Sequence, residues 1–244
     1  MKKAALLTGL LLVFFALIAS AAGMNVYWSD CGPAGTMNRS FSCVGCSIPN
    51  SDIWTSFDPP QPVPQLTGTS QLIDLQSATA TLPDWWQFKN PGSCRQFGLS
   101  ALSSFGPGSC FDTWGGFDLA AVDAYLVTAN TPGMQPNRAR ILSSTAVPDE
   151  NATSVIPGTE YFSMILRVNA AKTVGSGACA GCSTPICLVL TSLALTDINA
   201  TTLSITNPLN NNFITFHGGA VPGGCPGAVP AVNRTWGQVK SIYR

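Results

Sequence analysis

Hydrophobic and polar residues alternate along much of this chain, which is the pattern of half-buried β-strands. In residues 161–168, for example, Phe162 and Leu166 alternate with Ser163 and Arg167. The same pattern predicts six further strands, at residues 26–28, 71–75, 139–142, 187–195, 202–205 and 213–216. Residues 118–127 are apolar without a clear period, so they support a helix and a strand equally.

Turn-forming pairs separate these segments, among them Pro148-Asp149, Pro157-Gly158 and Asn207-Pro208. Several short strands joined by Gly- and Pro-rich turns are typical of stacked antiparallel sheets. We therefore predict an all-β chain that forms a single two-sheet β-sandwich, jelly-roll or Ig-like in topology.

The first 22 residues have the composition of an export signal. Lys2 and Lys3 precede an apolar run at residues 10–18, and small residues follow at 19–22. This order indicates a signal peptide at residues 1–22, although an uncleaved membrane anchor is the alternative. No later segment is apolar enough to cross a membrane. We expect a secreted or cell-surface protein whose sandwich domain covers residues 23–217.

The end of the chain is predicted to form two further segments. Residues 218–234 are a Gly- and Pro-rich linker that cannot form regular structure. In residues 235–244, Thr235 can cap a short helix that places Trp236 and Tyr243 on one face. This C-terminal helix or tail either presents those aromatic residues to a partner or packs on its own sandwich.

Charge excludes one class of partner. Charged residues make up only 10% of the chain, with 12 basic and 12 acidic residues. Removal of Lys2 and Lys3 with the signal peptide leaves ten basic residues (12 − 2), so the mature chain is almost neutral. Without a basic surface to neutralise several phosphates, we expect no nucleic-acid partner.

Nine cysteines, by contrast, are many for a chain of 244 residues. Two C-x-x-C pairs, Cys43/Cys46 and Cys179/Cys182, have the spacing of zinc ligands or of a redox pair. Disulfides are favoured instead, because an exported chain enters an oxidising compartment. An odd number leaves one thiol unpaired. The disulfide candidates are Cys31, Cys43, Cys46, Cys94, Cys110, Cys179, Cys182, Cys187 and Cys225.

The predicted pairing is mainly local, since a Gly- and Ser-rich loop between two cysteines is readily closed by a disulfide. The expected pairs are Cys94 with Cys110, Cys31 with Cys43 or Cys46, Cys182 with Cys187, and Cys179 with Cys225.

Several sequence motifs of this chain resemble those of a group of uncharacterised secreted bacterial Cys-rich β proteins. They are the repeated C-x-G-C-S-x-P pattern that begins at Cys43 and Cys179, the stretch at residues 83–88, and the ending T-W-G-Q-V-K-S-I-Y-R. The resemblance covers most of the mature chain. It implies export and a shared fold, and it implies no activity, substrate or cofactor.

The inventory of reactive side chains excludes several mechanisms. The chain has one histidine, His217, and two glutamates, Glu150 and Glu160. A three-histidine zinc site is therefore excluded, and a Ser-His-Asp triad would depend on His217 alone. The G-x-S-x-G, phosphate-binding and dinucleotide-binding motifs are absent from the sequence. We predict no cofactor.

Two functions that depend on carboxylate groups, glycoside hydrolysis and calcium binding, remain compatible with these residues. Glycoside hydrolysis needs a pair of carboxyl groups, and Asp84 stands beside Trp85 and Trp86, whose indoles could stack on sugar rings. The alternative is that one of these tryptophans lies in the core and the other on the surface, as neighbours on a strand do. Calcium could be bound near residues 149–151 or 197–199, although neither segment continues into a complete calcium loop.

We therefore predict an exported, non-catalytic binding or structural module of the cell surface or extracellular space. Its ligand would be a glycan or a surface protein. The candidate binding aromatics are Trp85, Trp86, Trp236 and Tyr243. Two alternatives remain at this point: a secreted polysaccharide-active hydrolase, and an envelope assembly component that docks through its C-terminal tail.

Overall fold

The computed structural model describes residues 22–40, 42–44, 50–89, 91–220 and 225–226, and nearly all their regular structure is β-strand. Three short 3-10 turns interrupt the strands, at Gly32–Ala34, Asp84–Trp86 and Asp149–Asn151. The strands are β1 (Gly23–Trp28), β2 (Asn38–Arg39), β3 (Ser51–Asp58), β4 (Val63–Ser77), β5 (Leu99–Leu102), β6 (Leu119–Val127), β7 (Arg138–Ala146), β8 (Thr153–Val155), β9 (Tyr161–Val168), β10 (Ile186–Asp197), β11 (Thr202–Ile205) and β12 (Phe213–Phe216).

The strands form two sheets. The smaller sheet has four strands in the order β1-β3-β9-β5. The larger sheet has eight, with a path β2-β12-β10-β4-β7-β6, to which β11 adds beside β10 and β8 beside β4. Neighbouring strands are antiparallel except β2 and β12, which are parallel. The long strands β4 and β10 pair along most of their length and form the centre of the larger sheet.

The two sheets pack face to face around one apolar core. Direct hydrogen bonds cross between them: the hydroxyls of Thr69 and Ser163 lie 2.8 Å apart, and the Trp28 indole donates to the Thr215 carbonyl at 2.9 Å. These contacts join β4 to β9 and β1 to β12. The predicted two-sheet β-sandwich, braced by disulfides, is confirmed.

The predicted strands agree with the sheets where alternation was clear. Residues 161–168, 202–205 and 213–216 coincide with β9, β11 and β12. The ambiguous segment at 118–127 forms strand β6 from Leu119 onward, and Asp118 precedes the strand. Strand β3 was not predicted. It lies between β1 and β9, and seven of its eight residues are buried, including Ser51, Thr55 and Asp58. Its polar residues therefore do not mark a solvent-facing side, and no alternation is visible.

Four disulfides link the described residues, and the predicted pairing is wrong throughout. The sequence separations are 79, 139, 85 and 38 residues, so most of the crosslinks are long-range. The observed pairs are Cys31–Cys110, Cys43–Cys182, Cys94–Cys179 and Cys187–Cys225. Cys46 lies outside the described residues.

The local pairs fail because each of these cysteines lies beside one that is distant in the sequence. In the four observed disulfides the Cα atoms are 5.3 to 6.0 Å apart, within the limit of about 7 Å for a disulfide. Cys187 lies on β10 beside Thr215, opposite Gln76, whereas Cys182 lies in the preceding turn and reaches Cys43. Eight of the nine candidates are confirmed as disulfide-bonded.

Four disulfides are typical of a protein outside the cytoplasm. Among the described residues, no helix has the length and apolar character needed to span a membrane.

The predicted terminal segments lie mostly outside the described residues. These are the signal peptide, except for Ala22, and the C-terminal segment at 235–244. The predicted linker contains Cys225, which ties that part of the chain to β10.

Candidate functional site

The most prominent surface feature is the loop at residues 111–119, which leads into β6. It begins beside the Cys31–Cys110 disulfide. Phe111 then joins the small sheet: its N–H donates to the Glu160 carbonyl at 2.8 Å, and its carbonyl accepts from the Phe162 N–H at 2.9 Å. A covalent crosslink and two backbone hydrogen bonds thus fix the start of the loop.

The middle of the loop is anchored by Trp114, which is 2% exposed. Its indole donates to the Ser163 carbonyl at 3.1 Å, between the two sheets. Gly115 and Gly116 then reverse the chain with φ of +61° and +80°, a region that glycine enters without strain. The Phe117 N–H closes the turn on the Trp114 carbonyl at 3.2 Å. The loop is therefore ordered by contacts on the inside of the sandwich.

The same loop holds large apolar side chains at the surface. Phe111 is 59% exposed, Phe117 62% and Leu119 80%, and Ile156 on the neighbouring segment is 53% exposed. We call these four residues the apolar patch. Two contacts join the segments: the hydroxyls of Thr113 and Thr153 lie 2.9 Å apart, and the Phe111 ring packs against Tyr161, whose hydroxyl accepts from the Ile156 N–H.

The apolar patch lies at the end of the sandwich where β6 and β9 begin and β7 ends. Leu119 opposes Ala146, the last residue of β7, and Phe111 bridges to Tyr161, the first residue of β9. The exposed fractions correspond to an apolar surface of roughly 400–500 Å². The largest apolar patch on a monomer is about 300–600 Å² and is often functional.

Between Phe117 and Leu119, the side chain of Asp118 points inward and is buried. Neither carboxylate oxygen has a hydrogen-bond partner among the described residues. Burial, together with a smaller effect of the Asp112 carboxylate, raises the pKa of Asp118 to about 6. The Asp118 backbone N–H opposes this rise in pKa without reaching hydrogen-bond geometry.

The tryptophans predicted as a binding platform are in the core. Trp85 and Trp86 are each 1% exposed, so neither can stack on a ligand. The expectation that they would divide between core and surface is also wrong. They lie on the 3-10 turn Asp84–Trp86, where neighbouring side chains need not point to opposite faces. Both rings pack against Phe88 and Phe216.

A buried cation completes this aromatic cluster. The guanidinium of Arg95 lies 3.7 Å from the centre of the Trp85 ring and donates to the carbonyls of Trp85 and Asn169. Burial lowers the pKa of Arg95 to about 9, so it remains charged at neutral pH. The cluster is a structural anchor for the loops around Cys94 and Cys179.

The structure does not support the sugar-cleaving site predicted at Asp84, because Trp85 and Trp86 are not available to hold a sugar. Asp84 is exposed and lines a surface pocket of about 620 Å³ together with Gln87 and Asn130. Neither tryptophan and no second carboxylate lines that pocket. A glycosidase site needs two carboxyl groups across the scissile bond, and this pocket provides one.

The other candidate chemical groups are engaged in local structure. His217 directly follows β12, its ring contacts Phe216, and burial lowers its pKa. Asp197 accepts from the N–H groups of Asn199 and Thr201, so it stabilises a turn. Among the described residues, no group of three or more His, Cys, Asp or Glu side chains could hold a metal. Trp236 and Tyr243 lie outside the described residues.

The sequence carries only a partial signal for the apolar patch. Once 118–127 is known to be a strand, Leu119 falls on the face of Ala121, opposite the inward Ala120 and Val122. A single exposed leucine is common on protein surfaces, and it gains meaning only as part of a contiguous apolar patch, which the sequence does not reveal.

No protein-family model and no curated protein matches this chain. Among solved structures, it is similar to a cohesin module from a Clostridium perfringens family 33 glycoside hydrolase, with 10% identity and a TM-score of 0.36 over 80% of this chain and 93% of that one. A type II cohesin domain from the cellulosome of Acetivibrio cellulolyticus gives 10% identity and a TM-score of 0.35 over 80% and 95%. At scores this low, neither likeness bears on function.

Proposed function

We propose that this chain is an exported, non-catalytic binding module that docks a partner protein through the apolar patch. The observation that carries the proposal is that Phe111, Phe117, Leu119 and Ile156 are exposed on segments held in place from inside the sandwich. A surface that is already ordered loses little conformational entropy when it binds.

The chemistry of the patch favours a protein over a glycan. Its side chains are phenylalanine, leucine and isoleucine, which offer no hydrogen-bond donors or acceptors to sugar hydroxyls. Their exposed area is about half of the roughly 800 Å² that each partner contributes to a standard interface. A polar rim around this apolar centre would complete the interface.

Two observations support export and binding over hydrolysis. Long-range disulfides are typical of an extracytoplasmic protein, and they agree with the signal peptide predicted at residues 1–22. The burial of Trp85 and Trp86 removes the sugar platform that motivated a hydrolase at Asp84. Docking through residues 235–244, and the resemblance to secreted bacterial proteins, remain predictions from the sequence.

The test uses the oxidised mature protein as bait against the extracellular fraction of its host. Three forms are compared: the wild type, the patch variant Phe117→Ser/Leu119→Ser, and the control Phe97→Ser. Phe97 is 82% exposed but lies outside the patch, so this control also removes an exposed phenylalanine. The protein captured by the wild type is purified, and its dissociation constant is measured for each form.

We expect the wild type and Phe97→Ser to bind equally, and the patch variant to bind at least tenfold more weakly. The patch variant should remain folded, because surface substitutions change stability by only about 0.5 kcal/mol. Equal affinity of all three forms for the captured protein would contradict the proposal. So would patch-dependent binding to a glycan array without any protein partner.

A further inference from the structure

Charges are divided between the two ends of the sandwich, although the whole chain has equal numbers, 12 basic and 12 acidic residues. The apolar patch lies where β7 ends and β9 begins. Arg138 is the first residue of β7 and Arg167 is the last but one of β9, so both lie toward the opposite end. The other lysines and arginines of the described residues are on that side too: Arg140 in the first half of β7, Arg39 near the start of β10, and Lys89, Arg95 and Lys172 in the loops around Cys94 and the end of β9.

The patch end, by contrast, carries acidic residues. Residues 96–137 and 141–166 include both segments of the apolar patch, and they contain no lysine or arginine. Their acidic residues are Asp112, Asp118, Asp123, Asp149, Glu150 and Glu160. The two ion pairs of the described residues, Asp52–Arg167 and Asp74–Arg140, neutralise carboxylates on the basic side only. The surroundings of the patch are therefore negatively charged.

Two of these acids, Asp149 and Glu150, flank the patch. Both are exposed, on the 3-10 turn that connects β7 to β8. Ala146, three residues before Asp149, opposes Leu119, and Thr153, three residues after Glu150, contacts the 111–119 loop through its hydroxyl. Three residues span at most about 11 Å. We call Asp149 and Glu150 the acidic rim, because they stand beside the exposed apolar side chains.

We propose that the partner of the apolar patch presents apolar side chains flanked by lysine or arginine. This inference rests on the docking function proposed above and names the chemistry of the partner's surface. The partner's apolar side chains cover Phe117 and Leu119, and its cationic groups meet the acidic rim. Complementary charges at the rim of an interface speed association and reject wrong partners more than they add affinity.

The same charges disfavour two other occupants of the patch. An anionic lipid surface attracts basic segments, and the acidic rim would be repelled by it. The basic side of a second copy offers few available cations, because Arg95 is buried and Arg140 and Arg167 are already ion-paired. A different protein with its own lysines or arginines fits this end better.

The first experiment selects ligands from a random peptide library displayed on phage, with the oxidised mature protein as bait. The library is first depleted on the patch variant Phe117→Ser/Leu119→Ser, so that the peptides that remain need the patch. We expect these peptides to carry aromatic or aliphatic residues beside lysine or arginine, with basic residues enriched at least about twofold over the starting library and acidic residues depleted.

The second experiment measures the association rate of one selected peptide with three forms of the protein: the wild type, Asp149→Asn/Glu150→Gln, and the control Asp84→Asn. Asp84 is an exposed carboxylate outside the patch. Salt is lowered from about 0.15 M to about 0.01 M, which lengthens the screening distance from about 8 Å to about 30 Å. We expect the rate to rise about tenfold for the wild type and the control, and about threefold or less without the acidic rim. Dissociation rates should be similar in all three forms.

The outcomes separate this inference from the docking proposal. Patch-dependent peptides without an excess of basic residues, or an equal response to salt in all three forms, would overturn the inference and leave docking intact. A library without any patch-dependent peptide would overturn both. Self-association of the wild type that the patch variant loses, measured by sedimentation, would identify a second copy as the occupant and also overturn the inference.

Discussion

At the scale of single residues, two of the buried charged side chains, Arg95 and Asp118, have opposite surroundings. Arg95 is 3% exposed, but its guanidinium stacks on Trp85 and donates to two backbone carbonyls. Asp118 is equally buried and has no such partners. The charge of Arg95 is therefore stabilised by its own surroundings, whereas burial raises the pKa of Asp118 to about 6.

We predict that Arg95→Met destabilises the protein by about 2–4 kcal/mol. The substitution removes the cation above Trp85 and the hydrogen bonds that Arg95 donates to the buried carbonyls of Trp85 and Asn169. Urea unfolding of the oxidised protein measures the change. Arg138→Met is the matched control, because Arg138 is exposed on β7 and its loss should cost about 0.5 kcal/mol or less. Similar values for the two variants would show that the stacked guanidinium contributes nothing to stability.

At the scale of local elements, the second C-x-G-C motif, at residues 179–182, is a turn whose two cysteines bond to different partners. Cys179 bonds to Cys94 and Cys182 bonds to Cys43. Gly181 between them has φ of +93°, and a Cβ there would lie 2.2 Å from the Cβ of Pro83. The glycine of the motif is thus required by both its backbone conformation and its packing.

We predict that Gly181→Ala costs at least 1 kcal/mol more stability than Gly133→Ala, and about 2–4 kcal/mol in total. Gly133 has a similar φ of +86° but open space around it, so its substitution isolates the backbone strain of about 1–2 kcal/mol. The difference in urea midpoint between the two variants measures the contact with Pro83. Equal destabilisation would mean that Pro83 moves aside without cost.

Local pattern predicts a strand where polar and apolar residues alternate in the sequence, even when both faces of that strand are buried. Residues 161–168 alternate in this way, and β9 was found with its bounds although Ser163 is as buried as its apolar neighbours. Strand β3 lies inside its sheet with polar residues buried, and the turn at Trp85 and Trp86 buries adjacent side chains. In both places tertiary packing decides burial, and the spacing of residues in the sequence does not record it.

At the scale of the whole molecule, disulfides connect loops that are distant in sequence. Three of the four pairs join residues separated by 79 or more positions. Which loops meet depends on the order of strands in two sheets, and that order is not encoded in the spacing of cysteines. The presence of disulfides was therefore predictable from composition and export, but their partners were not. The apolar patch was missed for the same reason, since Phe111 and Ile156 come together through their contacts with Tyr161 only in the assembled sandwich.

The position of the Cys31–Cys110 disulfide predicts that this bond keeps the apolar patch ordered. Cys110 directly precedes Phe111, and its bond to Cys31 restrains the start of the 111–119 loop. In Cys31→Ser/Cys110→Ser, we expect amide exchange of the 111–117 segment to become about tenfold faster, because opening that segment no longer works against the crosslink. Hydrogen exchange with mass spectrometry measures this change peptide by peptide.

The matched control is Cys187→Ser/Cys225→Ser, which removes a disulfide from β10 and should leave exchange in the 111–117 segment at the wild-type rate. In the first variant, peptides of the central strands β4 and β10 should also keep their protection, since their pairing does not involve Cys31 or Cys110. If both variants accelerate exchange across the whole chain, the Cys31–Cys110 bond stabilises the sandwich as a unit. The order of the patch would then come from Trp114 and the backbone hydrogen bonds of Phe111.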